Sequence, residues 1–184
     1  FVCVLSIAWA SRLATDAESF AGLDDEAKQG FIWIFAHRFH AEFNVAGLLA
    51  PFLQYAPHYE MQLLIATQIA DEHRHLQSVL RVYENVFGVQ GGFKAIRDVA
   101  DANRDIIADT LYGELDAKVY NLAETGTEED YVKAVVSYHL LAEGVGACRE
   151  FAAARRLGKR TSSGSSEWQA GCTAAVYCET SCRM

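Results

Sequence analysis

The chain has 184 residues, 51% of them hydrophobic and only two of them proline. That suffices for one domain with a sizeable core, and no apolar run reaches the roughly 18 residues of a membrane span. A formal charge of −8 argues against a nucleic-acid partner, which would favour a basic stripe.

The opening FVCVLSIAWA is apolar and closes on small residues. Without a leading Met or basic residues it is expected to be a clipped or buried N-terminal segment rather than a signal-peptide core. From about residue 24 to residue 157, apolar residues recur at spacings of three and four, with no competing alternation, so helices are expected throughout. Asp24 or Asp25 caps a first helix running toward Leu49, where Pro51 ends or kinks it. Pro57 opens a second helix that stops at Gly88. Gly91-Gly92 breaks the chain before a third helix at about 93–123, and Thr127 with Asp130 makes a capping-box-like start for a fourth near 128–158.

After Lys159 the composition turns to Ser, Cys and small residues. Residues 1–159 are therefore read as the helical domain and 160–184 as an atypical tail, with 160–166 a linker. The five cysteines, Cys3, Cys148, Cys172, Cys178 and Cys182, are odd in number and scattered. They make no disulfide framework and point to the cytoplasm.

The run IADEHRHLQ, residues 69–77, breaks an otherwise apolar helix pattern. Ile65, Ile69, Glu72, Leu76, Val79 and Tyr83 form an unbroken four-three stripe, so Glu72 occupies a core position. His75 lies one turn on, a rise of ~4.5 Å, on the same face, while His73 and Arg74 face solvent. The first helix repeats the anomaly with Phe35, Phe39, Glu42, Ala46, Leu49 and Leu53. The last does so with Val132, Val136, His139, Glu143, Ala147 and Glu150.

A buried carboxylate without a partner costs several kcal/mol, so each must be protonated, paired or bound to a cation. No arginine or lysine is evident on these faces. One inward glutamate is ordinarily a tolerated core carboxylate, but three with a histidine at i+3 favour a metal. Carboxylate oxygens with imidazole suit iron or manganese. His139 and Glu150 are secondary ligand candidates, and His37, His40 and His58 are assigned to helix surfaces or ends.

Glu42, the DEHRH run and YHLLAEGVGA around Glu143 resemble the ferritin-like di-iron carboxylate proteins, more narrowly the ribonucleotide reductase small-subunit superfamily and its ligand-binding oxidases. The DEHRH run is also similar to that of bacterial multicomponent monooxygenases. The resemblance spans about residues 9–158. It implies an all-α, ferritin-like helical bundle with a long crossover helix and a centre of two iron ions or a manganese/iron pair. Glu42, Glu72 and His75 would hold one metal, Glu72 would bridge, and Glu143 would reach the second. The function implied is oxidation of a small or lipid-like organic substrate with O2, in a homodimer. A reductase small subunit and a ferroxidase-like or non-enzymatic metal-binding bundle are the alternatives.

Val79 stands where the reductases often carry a radical tyrosine. Tyr138 stands where the oxidases carry theirs and is the candidate redox residue, although Asn44 replaces the valine of their tyrosine–valine link. A second Glu-x-x-His is missing: the histidines are 37, 40, 58, 73, 75 and 139.

Overall fold

The computed structural model describes residues 13–104 and 106–146. The side chains of 106–109, 111 and 142–146 lie outside that description, as do the N-terminal apolar segment, Cys148, Glu150 and the tail with its three cysteines. Among the described residues every element is helical and none is a strand, an all-α bundle. No helix there is long and apolar enough to cross a membrane.

Residues 13–21 form α1. Next come α2 (Asp25–Tyr55), α3 (Tyr59–Asn85), α4 (Gly92–Ala102), α5 (Ile106–Thr125) and α6 (Glu128–Val135), which runs into a π-helix at Val136–Gly146. Asp24 is the N-cap of α2, and its side chain accepts from the Ala27 N–H at 2.8 Å, satisfying one of the four orphan donors of that terminus. Thr127 caps α6 by accepting from the Asp130 N–H. Asp130 answers by accepting from the Thr127 and Thr125 hydroxyls instead of the cap N–H, a variant of the capping box suited to its shorter side chain.

Three boundaries differ from the sequence expectation. Pro51 does not end the first helix: it lies inside α2, which continues to Tyr55. The lost backbone bond and ring clash cost ~3 kcal/mol, and Phe52, fully buried just beyond, recovers a comparable amount. Pro57 precedes the N-cap of α3, His58. The stretch expected as one crossover helix is two, α4 and α5. At the break, the Asn103 side chain donates to the Val99 carbonyl and accepts from Gln29 on α2, replacing helix-continuing bonds with local ones.

α2 and α3 pair as an antiparallel hairpin, and two apolar clusters lie along it. Phe31, Phe35 and Phe39 of α2 meet Val79, Val82 and Tyr83 of α3 and Ile96 and Ala100 of α4. Farther along, Leu49 and Phe52 meet Ile65, then Leu115, Val119 and Leu122 of α5, with Tyr131 and Tyr138 closing the cluster. Each fully buried large side chain contributes ~1.5–3 kcal/mol. Glu42 falls between Phe39 and Val45, and Glu72 between Ile69 and Leu76. The two carboxylates mark the seam between the clusters.

Candidate metal centre

The four-three stripes bring Glu42 of α2 and Glu72 of α3 to the helix interface, where both are buried. His75, one turn beyond Glu72, turns its Nδ1 between them, 3.1 Å from Glu72 Oε2 and 3.3 Å from Glu42 Oε2. Donor atoms of the three residues all lie within 4.8 Å of one another. An ion held at about 2.1 Å separates neighbouring donors by about 3.0 Å in octahedral and about 3.4 Å in tetrahedral geometry. The two separations from Nδ1 fall in that interval.

The outer oxygen of each carboxylate is held from elsewhere. Arg38, one turn before Glu42 on α2, donates to Glu42 Oε1 at 2.5 Å, and both side chains are about nine-tenths buried. Glu72 Oε1 accepts from the Tyr138 hydroxyl at 3.3 Å and from Gln68 Nε2 at 3.4 Å. Each carboxylate thereby keeps Oε2 directed at His75. Outer hydrogen bonds of this kind orient metal ligands in general.

The charges are strongly coupled. Hydrogen bonds to Glu42 and then Glu72 raise the His75 imidazole from 6.5 to about 10, against the opposing effect of burial. Burial pushes the Glu72 carboxyl up, but hydrogen bonding with His75, Glu42 and Gln68 outweighs it, leaving the group below its ordinary range. At neutral pH the protonated His75 imidazole therefore faces the Glu72 carboxylate, and the Arg38 guanidinium pairs with Glu42. A cation at the centre would replace the His75 proton.

Of the four expected ligands, Glu42, Glu72, His75 and Glu143, the structure brings the first three together. Tyr138 is fully buried and touches Glu72 through its hydroxyl. Glu143 has its backbone in the π-helix, about one π turn past Tyr138; its side chain lies outside the described residues. His139 is not in the cluster. Its Nε2 lies 3.0 Å from Gln68 Oε1, and burial lowers its pKa, so it is neutral at pH 7. His73 and Arg74 are exposed, as expected, His73 on the Ile69 carbonyl and Arg74 on Asp71. His40 is a correction: it is buried and pairs with Asp101 of α4 at 3.3 Å.

Arg38 corrects the expectation that no cation faces these glutamates. It and Gln68 are the partners of the two core glutamates that the apolar stripes do not reveal. Each stands four positions before a core glutamate, a spacing at which helix side chains meet, and that spacing was the available signal. A concavity of about 380 Å³ lined by Ala117, Lys118, Asn121, Asp130 and Lys133 shares no residue with the centre.

Comparison of the chain with family models, with curated proteins and with solved structures gives no match.

Proposed function

We propose that this protein is a metal-carboxylate oxidoreductase in which Glu42, Glu72 and His75 hold a divalent iron or manganese ion. The observation that carries the reading is that His75 Nδ1 lies 3.1 Å from Glu72 Oε2 and 3.3 Å from Glu42 Oε2, with donor atoms of all three residues within 4.8 Å of one another and each carboxylate's other oxygen already occupied. Two hard oxygens and one imidazole suit Fe(II) or Mn(II). On sequence grounds Glu143 is the further ligand toward a second ion. O2, a small or lipid-like organic substrate, a homodimer and a cytoplasmic location belong to the same proposal and rest on the family resemblance and the scattered cysteines.

When bound, the metal supplies the redox chemistry with O2 that side chains lack. The chain does the rest. Glu42 and Glu72 provide negative charge, and His75 releases a proton to become a neutral donor. The Tyr138 hydroxyl places an oxidisable phenol against a ligand carboxylate, which can take its proton if the phenol is oxidised. The apolar clusters on either side bury both carboxylates, while His75 stays partly open to solvent.

A second reading has its own observation. One protonated Nδ1 between two carboxylates is a complete buried ion cluster without any metal, and such clusters hold helices in register in some proteins. Loading with Fe(II) and Mn(II), in air and without it, followed by metal counting and O2 uptake, separates the two. Stoichiometric metal that disappears in Glu72→Ala supports the oxidoreductase. A wild type that takes up no metal leaves the ion cluster.

A further inference from the structure

Gln68 is not among the converging donors, yet its side chain touches three of the groups around them. Its amide orientation is dictated by chemistry. A carboxylate only accepts hydrogen bonds, so the nitrogen must face Glu72 Oε1, 3.4 Å away. The same nitrogen lies 3.4 Å from the Tyr138 hydroxyl, which in turn donates to Glu72 Oε1. The amide oxygen is then turned to His139 Nε2 at 3.0 Å, and that nitrogen must carry the proton. These hydrogen bonds run one way, from the π-helix through Gln68 and Tyr138 to one oxygen of Glu72.

The backbone helps to explain how one amide serves two consecutive residues. On an α-helix, successive side chains diverge by about 100°. The wider i→i+5 turn of the π-helix at Val136–Gly146 narrows that angle, so Tyr138 and His139 both reach Gln68. Tyr138 and His139 also pack edge-on, with ring centroids 4.7 Å apart, and both rings touch Phe52. The pair is braced from the apolar side as well as tied on the polar side.

We propose that Gln68 is a positioning residue for the metal centre: with Tyr138 and His139 it holds Oε1 of Glu72 outward, so that Oε2 alone faces the ion. This rests on the metal reading above. It assigns the π-helix a purpose, which is to fix a ligand it does not itself supply. Without Gln68, Glu72 can rotate about its terminal bond and offer both oxygens to the ion, or turn toward Gln68's former place.

The test uses Mn(II) as probe with the full chain and Gln68→Met, which keeps length and volume but has no donor. Titration calorimetry reads the affinity. Infrared spectra of the Mn(II)-loaded protein read the splitting of the carboxylate stretches, which distinguishes one-oxygen from two-oxygen coordination. The expected result is binding about tenfold weaker than wild type, in line with the loss of an outer hydrogen bond to a ligand, with new two-oxygen carboxylate bands. Wild-type affinity and bands in a folded Gln68→Met overturn the positioning role and leave the metal reading standing. A wild type that binds no Mn(II) overturns both. If Gln68→Met does not fold, His139→Phe decides, since it keeps a ring against Phe52 and removes the bond to the Gln68 oxygen. A smaller loss with the same band change supports the role, and no change overturns it.

Discussion

Arg38 places its guanidinium 2.5 Å from Oε1 of Glu42, one turn along the same helix, and so occupies the carboxylate oxygen turned away from His75. The pair is almost fully buried, so each ion has exchanged water for the other. Removing one partner of such a pair strands the second and costs about 3–5 kcal/mol. Arg38→Ala is expected to lower the stability of the metal-free protein by about 3 kcal/mol, read from urea denaturation midpoints. A loss below about 1 kcal/mol would mean that the pair is solvated and weak.

The His75 cluster gives that stability a pH signature. The imidazole titrates near 6.5 unfolded and about 10 folded, so its contribution is fully present below 6.5 and fades as pH rises through 10. Glu72 shifts the other way from 4.5, so its contribution is present above 4.5 and is lost as pH falls through the lowered folded value. Together they are complete between about pH 4.5 and 6.5. The stability difference between wild type and His75→Gln isolates the histidine and should shrink steadily from pH 6.5 to 10. A difference independent of pH across that range contradicts the cluster.

The same proton competes with metal. Below the folded pKa of about 10, an ion taking Nδ1 must expel it, so one proton should leave per ion at pH 7 and affinity should rise about tenfold per pH unit. Mn(II) titrations in buffers of different ionisation enthalpy count the protons. Binding with no proton release would place the ion away from His75.

Gly126 tests the bundle away from the centre. Its φ is +60°, and a Cβ there would lie 2.6 Å from a ring carbon of Tyr55, whose hydroxyl donates to the Ala123 carbonyl. Gly126→Ala combines left-handed strain with a clash that the tethered ring cannot easily relieve. A loss of about 2 kcal/mol is expected in thermal or urea unfolding. Stability equal to wild type would show that the ring moves freely.

Much of this arrangement is legible in the sequence, for a physical reason. Burial imposes the helix period on the side chains, so the stripes through Glu42 and Glu72 reveal both the hairpin and its polar seam. The caps at Asp24 and Thr127 are equally visible, because a side-chain acceptor before an apolar run has few other uses. Hydrogen-bond register is not written in that pattern. The π-helix after Val135 and the break at Asn103 leave the apolar spacing nearly intact, so periodicity reads through both. Arg38 escapes a stripe traced through apolar residues although it stands one turn before Glu42 on the same side of α2, because its long stem buries while its guanidinium pairs with the carboxylate. Pro51 shows the converse: a strong local signal is overridden by the burial of Phe52.

Metal stoichiometry is the most demanding prediction. Glu42, Glu72 and His75 supply three donors to one position, enough for an ion that completes its sphere with water. A second position would rest on Glu143 and a bridging Glu72, and the Arg38 and Tyr138 contacts hold the outer oxygens of the two core carboxylates away from bridging. One Fe(II) or Mn(II) per chain is therefore expected, not two. His75→Ala should abolish most binding, because it removes the neutral donor and leaves carboxylates alone. Glu143→Gln should leave the first ion bound within about tenfold of wild-type affinity, and O2 uptake by the singly loaded protein should be slow, since a two-electron reduction favours a pair of metals. Counting iron by absorption after anaerobic loading and desalting measures the binding, and an oxygen electrode on the loaded protein measures the uptake. Two firmly held ions per chain with rapid O2 uptake would show that Glu72 can leave Gln68 and Tyr138 to bridge, and equal iron in wild type and His75→Ala would remove the centre from this seam altogether.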